Sequence, residues 1–233
     1  MSDVPGLSRF AFGLSLLALA CNGELFDGSA DCSGLEDDPG WSVNVSISNE
    51  TSRTIHLGQT MATCWAEQFF HVSDAAGAPL PEFSSCRSSC EIAMRTGGAG
   101  CPVMCPHPSA ITLEPGETTN TPWSGLFRVD LEIPGDCTPL EKLATVECDR
   151  AEQIEPGSHT FVSQAGSSVD CSQTLDTCGE CVPNGNGGCT TSATLIAGSM
   201  LSAETTVMLD ASHGVGGPKD GGPTLPVEII FTE

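Results

Sequence analysis

Polar and apolar residues alternate without a break from Trp41 to Ser48. Trp41, Val43, Val45 and Ile47 fall on one side, and Ser42, Asn44, Ser46 and Ser48 on the other. Successive side chains of a strand point to opposite faces, so this stretch predicts a strand with one buried face. Asn49 and Glu50 follow as a turn, and "RTIHLGQ" predicts a second short strand. In "AEQFFHVSDAAGAPLPEF" two apolar runs flank Asp74-Ala75-Ala76-Gly77, the punctuation of a hairpin. "LFRVDLEI" alternates again, with Phe127, Val129, Leu131 and Ile133 inward and Arg128, Asp130 and Glu132 outward. The expectation is that these four and Val43, Val45 and Ile47 face one shared apolar interior. Further strands are predicted at "HTFVSQA", "AETTVML" and "PVEIIFTE". Helical periodicity is scarce, and Pro139 to Cys148, "PLEKLATVEC", carries the best of it. Short strands between Pro/Gly turns predict an all-β chain folded as an antiparallel sandwich.

One apolar run stands outside this alternation. Phe10 to Ala20 is uncharged and, at about 1.5 Å per residue, reaches roughly half of the ~30 Å bilayer core. It fits the apolar region of a secretory signal over residues 1–20. Leu17-Ala18-Leu19-Ala20-Cys21 has the form of a bacterial lipobox, in which Cys21 is lipidated and becomes the first residue; Ala18-Leu19-Ala20 also suits ordinary signal peptidase. Cysteine parity favours the lipobox: thirteen cysteines are odd, and committing Cys21 to a thioether leaves twelve to pair. The Gly/Ser/acid-rich residues 21–40 then read as a flexible tether that Cys32 alone would pin. Residues 41–233 form one elaborated sandwich with cysteine-rich insertions at 86–105 and 171–189.

The remaining cysteines are Cys32, Cys64, Cys86, Cys90, Cys101, Cys105, Cys137, Cys148, Cys171, Cys178, Cys181 and Cys189. They imply an oxidising compartment. At roughly six per cent of the mature chain they fall short of the ~8–10% of disulfide-built scaffolds, so they are read as staples on a core. In "CRSSCEIAMRTGGAGCPVMC" the spacing Cys86-x3-Cys90 and Cys101-x3-Cys105 predicts a disulfide-stapled loop. Its rivals are a pair of laced helical turns and a four-thiolate zinc site. Export opposes zinc, because the thiols would be oxidised first. Met104 and His107 would suit Cu(I) only if a neighbouring cysteine stayed free. The glycine-rich tip, residues 91–100, presents Ile92, Met94 and Arg95 as candidate partner contacts. Cys178-x2-Cys181 has redox-dithiol spacing, but the glycine, proline and glutamate around it read as a structural loop.

The net charge of −22, with only Lys142 and Lys219 as lysines, repels phosphate backbones and excludes nucleic acid as a partner. No serine-nucleophile elbow, His-Glu-x-x-His zinc motif, EF-hand loop or phosphate loop occurs. The five histidines are scattered, so no catalytic residue, cofactor or metal site is assigned. Asn44 and Asn49 stand in N-x-[ST] sequons.

"LEPGETT" (113–119) and "IEPGSHT" (154–160) share apolar-Glu-Pro-Gly-x-x-Thr, and Pro-Gly predicts a type II turn feeding a strand in each. Together with "VNVSISNETSRTIHL", "FFHVSDAAGAPL", "LEPGETTNTPWSG" and "EPGSHTFV", these stretches resemble the BsuPI-type (intracellular proteinase inhibitor-like) immunoglobulin-like module over roughly 41–165. His159 stands where that pattern usually has tyrosine, and Trp123 falls on its Trp-bearing strand. The cysteine-rich style is similar to that of myxobacterial lipoproteins. The resemblance implies an Ig-like sandwich and carries no activity with it. The sequence thus predicts an exported, lipid-anchored, non-enzymatic binding or structural module of the cell envelope. Its partners would be the membrane through the lipid and an envelope or extracellular protein. A protease inhibitor presenting the 86–105 loop, and a thiol oxidoreductase using Cys178 and Cys181, are the alternatives.

Overall fold

The computed structural model describes residues 32–59, 68–81, 88–97, 109–139, 145–171, 180–192, 195–210 and 224–233. The strands are β1 (Val43–Asn49), β2 (Ile55–Gly58), β3 (His71–Ser73), β4 (Ser109–Leu113), β5 (Thr118–Trp123), β6 (Leu126–Pro134), β7 (Thr145–Gln153), β8 (Gly157–Asp170), β9 (Cys181–Pro183), β10 (Cys189–Ser192), β11 (Leu195–Leu209) and β12 (Leu225–Phe231). One short helix, α1 (Cys90–Thr96), and a 3-10 turn at Gly135–Cys137 complete the described elements. The chain is an all-β sandwich. A three-stranded sheet, β12-β1-β5, faces a larger one ordered β11-β8-β2-β4-β10-β9, with β3 also on β8. Pairing is antiparallel except that β12 lies parallel to β1, Val43 opposite Leu225 through Asn49 opposite Phe231.

The predicted alternation explains the main core. Val43, Val45 and Ile47 of β1, Val227, Ile229 and Phe231 of β12, and Ile55, Leu57, Ile111, Leu113, Phe161 and Leu209 of the larger sheet are all buried in one cluster. At its centre Trp123 from one sheet meets Phe161 from the other edge-on, ring centroids 5.2 Å apart, and Phe70 packs against both. Such perpendicular contacts suit the aromatic quadrupole.

Two of the chain's crossings between the sheets, β1 to β2 and β4 to β5, lie beside Asn49, a fully buried residue at the end of β1. Its Nδ2 donates to the carbonyls of Arg53 (2.8 Å) and Leu113 (2.9 Å), and its Oδ1 accepts from the Thr51 N–H (3.0 Å) and hydroxyl (2.7 Å). Its backbone N–H donates to Glu117 O and its carbonyl accepts from the Gly116 N–H. The Glu114-Pro115-Gly116-Glu117 turn closes with the Glu117 N–H donating to Glu114 O (3.0 Å). Gly116 at φ +84° is the left-handed third position that a type II turn demands. The matching "IEPG" stretch turns differently. Gly157 is extended at φ +159° and already pairs in β8, while the His159 ring bonds to the Glu155 carbonyl (2.9 Å). A side chain there occupies the acceptor that a tight turn would have used.

Several expectations are corrected. The seven predicted core residues do not share one interior, because β6 leaves the sandwich and pairs only with β7 as a separate ribbon. Phe127 packs on the main core, whereas Leu131 and Ile133 belong to a second cluster with Cys90, Ala93, Cys137 and Cys148. Val129 is half-buried and belongs to neither. Residues 145–148 of the predicted helix are strand β7, where Thr145, Val146 and Cys148 suit a pleated surface. Residues 32–40 are a docked strap instead of a tether. Cys32 is bonded to Cys137, the Asp38 N–H donates to Ala151 O (2.8 Å), and the Asp37 and Asp38 carboxylates accept from the Ala151 and Gln153 N–H groups. The parallel β12 also departs from an all-antiparallel sandwich. Cys21 and the rest of residues 1–31 lie outside the described residues.

The second cluster is bolted by two bridges, Cys32–Cys137 and Cys90–Cys148, the latter tying α1 to β7. Asn49→Ala should lower unfolding stability by about 2–3 kcal/mol, since the Leu113 carbonyl and the Thr51 N–H lose their buried side-chain partner while the Thr51 hydroxyl and the Arg53 carbonyl keep only each other; chemical denaturation measures it, and a change under about 1 kcal/mol would refute the assigned role. Removing both Cys90 and Cys148 should cost about 2–5 kcal/mol. In hydrogen exchange the α1 and β7 amides of that variant should lose protection first, with β1 and β8 nearly unchanged.

Candidate binding cleft

The stapled-loop expectation meets the structure only in part. Cys86, Cys101 and Cys105 lie outside the described residues, as do Cys64, Cys178, Met104 and His107. Cys90 is bonded to Cys148, far along the chain, so it is not a closing staple of the 86–105 segment. The predicted flexible tip is helical as far as Thr96. The Ser89 hydroxyl caps α1 by accepting from the Ile92 N–H (3.2 Å), and Gly97 at φ +81° ends it with its N–H on Ala93 O (2.8 Å). Ser89 is a preferred N-cap residue and Gly97 a preferred αL terminator. Ile92 is 38% exposed, Met94 packs against the second cluster, and Arg95 is exposed in an ion pair with Glu91 (3.6 Å). The three candidate contacts therefore ride on a helix, and Met94 is partly spent on packing.

Cys181 is bonded to Cys189 across the β9–β10 hairpin, which engages one member of the Cys178/Cys181 pair elsewhere. Cys171 is also disulfide-bonded. Among the described residues no group of three or more His, Cys, Asp or Glu side chains could hold a metal, and no helix is long and apolar enough to cross a membrane. Neither sequon asparagine is free. Asn49 is fully buried, and the half-buried Asn44 donates its amide to Asn120 Oδ1 (3.2 Å).

One histidine has an environment that the sequence did not reveal. Register pairs His56 with Thr112 across β2 and β4 and Thr191 with Cys181 across β10 and β9, and it sets Thr112 and Thr191 diagonally, Thr112 opposite Cys189 and Thr191 opposite Ala110. His56 Nδ1 lies 2.9 Å from the Thr112 hydroxyl, which lies 2.9 Å from the Thr191 hydroxyl, which reaches Cys181 Sγ at 3.7 Å. The chain satisfies two buried hydroxyls. Burial lowers the His56 pKa from its ordinary value, and the Glu114 carboxylate partly opposes the shift.

A cleft of about 350 Å³ opens at the side of the sandwich where the small sheet ends on β5 and the large one on β10 and β9. Its walls are Thr119, Asn120, Thr121 and Pro122 of β5, then Pro183, Asn184, Gly185, Asn186 and Thr190 of the hairpin, with Phe69 behind. No charged side chain lines it. The hairpin turn is fixed locally: the Gly187 N–H donates to Asn184 O, the Asn184 N–H to Gly188 O, and Asn184 Oδ1 accepts from the Asn186 N–H (3.0 Å). It is also held to β5, where the Asn120 N–H donates to Asn186 O (3.0 Å). Gly187 approaches so closely that a Cβ there would collide with the Thr118 carbonyl. The sequence hid this site because its residues come from 69, 119–122 and 183–190 and match no motif.

Comparison with protein families, with curated proteins and with solved structures finds no match to this chain.

A His56 pKa held low in the folded chain has a definite sign. The unfolded chain takes up its proton near pH 6.5 while the folded one resists, so this contribution is complete above that pH and is lost as pH falls towards the folded value. Denaturation midpoints measured between about pH 7 and 5 should therefore fall further for the native chain than for His56→Gln; equal falls would contradict the assignment.

Proposed function

We propose that the protein is an exported lipoprotein, anchored by a lipid on Cys21, that holds a disulfide-braced β-sandwich at the cell envelope as a binding module without catalytic activity. The observation that carries this reading is cysteine use. Cys32, Cys90, Cys137, Cys148, Cys171, Cys181 and Cys189, all the cysteines among the described residues, are disulfide-bonded. Paired cysteines persist outside a reducing cytosol. The uncharged run Phe10 to Ala20 ending at Cys21 supplies the export signal and the acceptor thiol. The cleft supports binding over catalysis, since its walls offer amides and hydroxyls but no titratable base or acid. Likeness to the BsuPI-type module belongs to this reading as a matter of fold alone.

Mass spectrometry of protein purified from its own cell envelope tests the anchor. The expected N-terminus is a diacylglyceryl-modified Cys21 with residues 1–20 gone, and alkylation without reductant should find no free thiol. An intact Met1, an unmodified Cys21 or several reactive thiols would overturn the reading.

A further inference from the structure

We propose that the cleft between β5 and the β9–β10 hairpin binds an uncharged carbohydrate chain. This rests on the binding-module reading above but is independent of the lipid anchor.

The chemistry of the walls selects the ligand. The side-chain groups offered by Asn120, Asn184, Asn186, Thr121 and Thr190 are carboxamides and hydroxyls, each able to donate and accept, and no ionised group faces them across the cleft. Two carboxamides are already oriented. Asn120 Oδ1 accepts from Ser46 Oγ (2.7 Å) and Asn44 Nδ2 (3.2 Å), and Asn184 Oδ1 accepts from the Asn186 N–H (3.0 Å). On each of these two lining residues the oxygen is engaged within the protein, which leaves the amide nitrogen as the group available to donate to a ligand and restricts its rotation beforehand. Donors fixed in advance lose little freedom on binding, which is the general source of affinity in a polar site. Pro122 and Pro183 add exposed ring faces of C–H groups against which the apolar face of a sugar ring can lie.

Other ligand classes fit poorly. Anionic ligands meet a protein of net charge −22 with no cation in the cleft. A cationic ligand finds no carboxylate there. A peptide adding to the β5 edge would need free backbone groups, but the Asn120 N–H is already given to Asn186 O and Pro122 has none to give. The volume, about 350 Å³, lies in the range of ligand clefts and is open at one side, as a chain-like ligand requires. Outside the cleft, Asn120 continues into a row of uncharged polar residues on the outer face of the small sheet: Ser42, Asn44, Ser46 and Ser48, with Thr118 bonded to Ser48 (2.8 Å). A polysaccharide longer than the cleft would lie along that row.

The test uses the purified mature protein with its disulfides formed. Isothermal titration is run against neutral hexasaccharides of glucose, mannose, galactose and N-acetylglucosamine, with oligogalacturonate and an uncharged peptide of similar length as rivals. The informative variant is Asn120→Asp with Asn184→Asp. Aspartate keeps the oxygen that accepts from Ser46, Asn44 and the Asn186 N–H, so the fold should persist, which thermal melting verifies. It replaces each Nδ2 donor by an anionic oxygen. Binding of at least one neutral hexasaccharide, weakened at least tenfold in the double variant with an unchanged melting curve, is the expected result. Absence of binding to every neutral hexasaccharide at millimolar concentration would overturn the proposal, as would binding indifferent to the variant or tighter binding of oligogalacturonate or peptide. A protein that is lipidated and free of thiols yet silent to these sugars would lose this ligand and keep the preceding reading.

Discussion

The sandwich depends on a single carboxamide. Two of the crossings that join its sheets, at residues 50–54 and 114–117, lie against Asn49. Inside a protein an unpaired amide or carbonyl is costly, whereas one with all its partners is directional and stiff. Asn49 meets that condition with every group it has: two carbonyls for its N–H groups, two donors for its oxygen, and both backbone groups paired to the Glu114–Glu117 turn. A leucine would fill the space but leave the Leu113 carbonyl and the Thr51 N–H without the side-chain partner that Asn49 gives them. The relative placement of the sheets, and of the β5 edge on which the cleft depends, follows from this polar junction as much as from the apolar layer beside it.

Away from the junction the chain uses a different means of cohesion. The β6–β7 ribbon, α1 and the strap at 32–40 enclose only a small apolar cluster, too little surface to hold them by burial alone. Two disulfides and the Asp37 and Asp38 carboxylates do that work. One chain therefore contains a hydrophobically driven sandwich and a covalently braced lobe.

What the sequence disclosed divides along the same line. The alternation in β1, β6 and β12 was legible because one face of each strand is apolar, and Pro115-Gly116 announced its turn because only glycine takes φ +84° readily. The face to which β6 turns its apolar residues was hidden, since alternation says that a face is buried and not against what. The pairing of Cys90 with Cys148 was hidden as well, because spacing along the chain is silent about a partner on another strand. Asn49 read as a turn residue and a sequon; its buried role exists only once Leu113 and Arg53 arrive beside it. The cleft was least legible. Its asparagines and threonines are ordinary loop and strand residues until an Asx turn and a close glycine approach set them opposite each other.

The parallel pairing of β1 with β12 has a consequence in time. Ser42 and Thr224, hydrogen bonded beside that pairing, are 182 positions apart in the chain. In a chain delivered N-terminus first, β1 is therefore available for an interval before β12 arrives. Throughout it β1 can dock β5 on one side and has an open row of backbone donors and acceptors on the other. Such an edge recruits whatever strand is nearest, including one from a neighbouring unfolded chain. The completed sheet is thus vulnerable through its first strand, and the rate at which the last strand arrives governs how much of the protein reaches the native pairing.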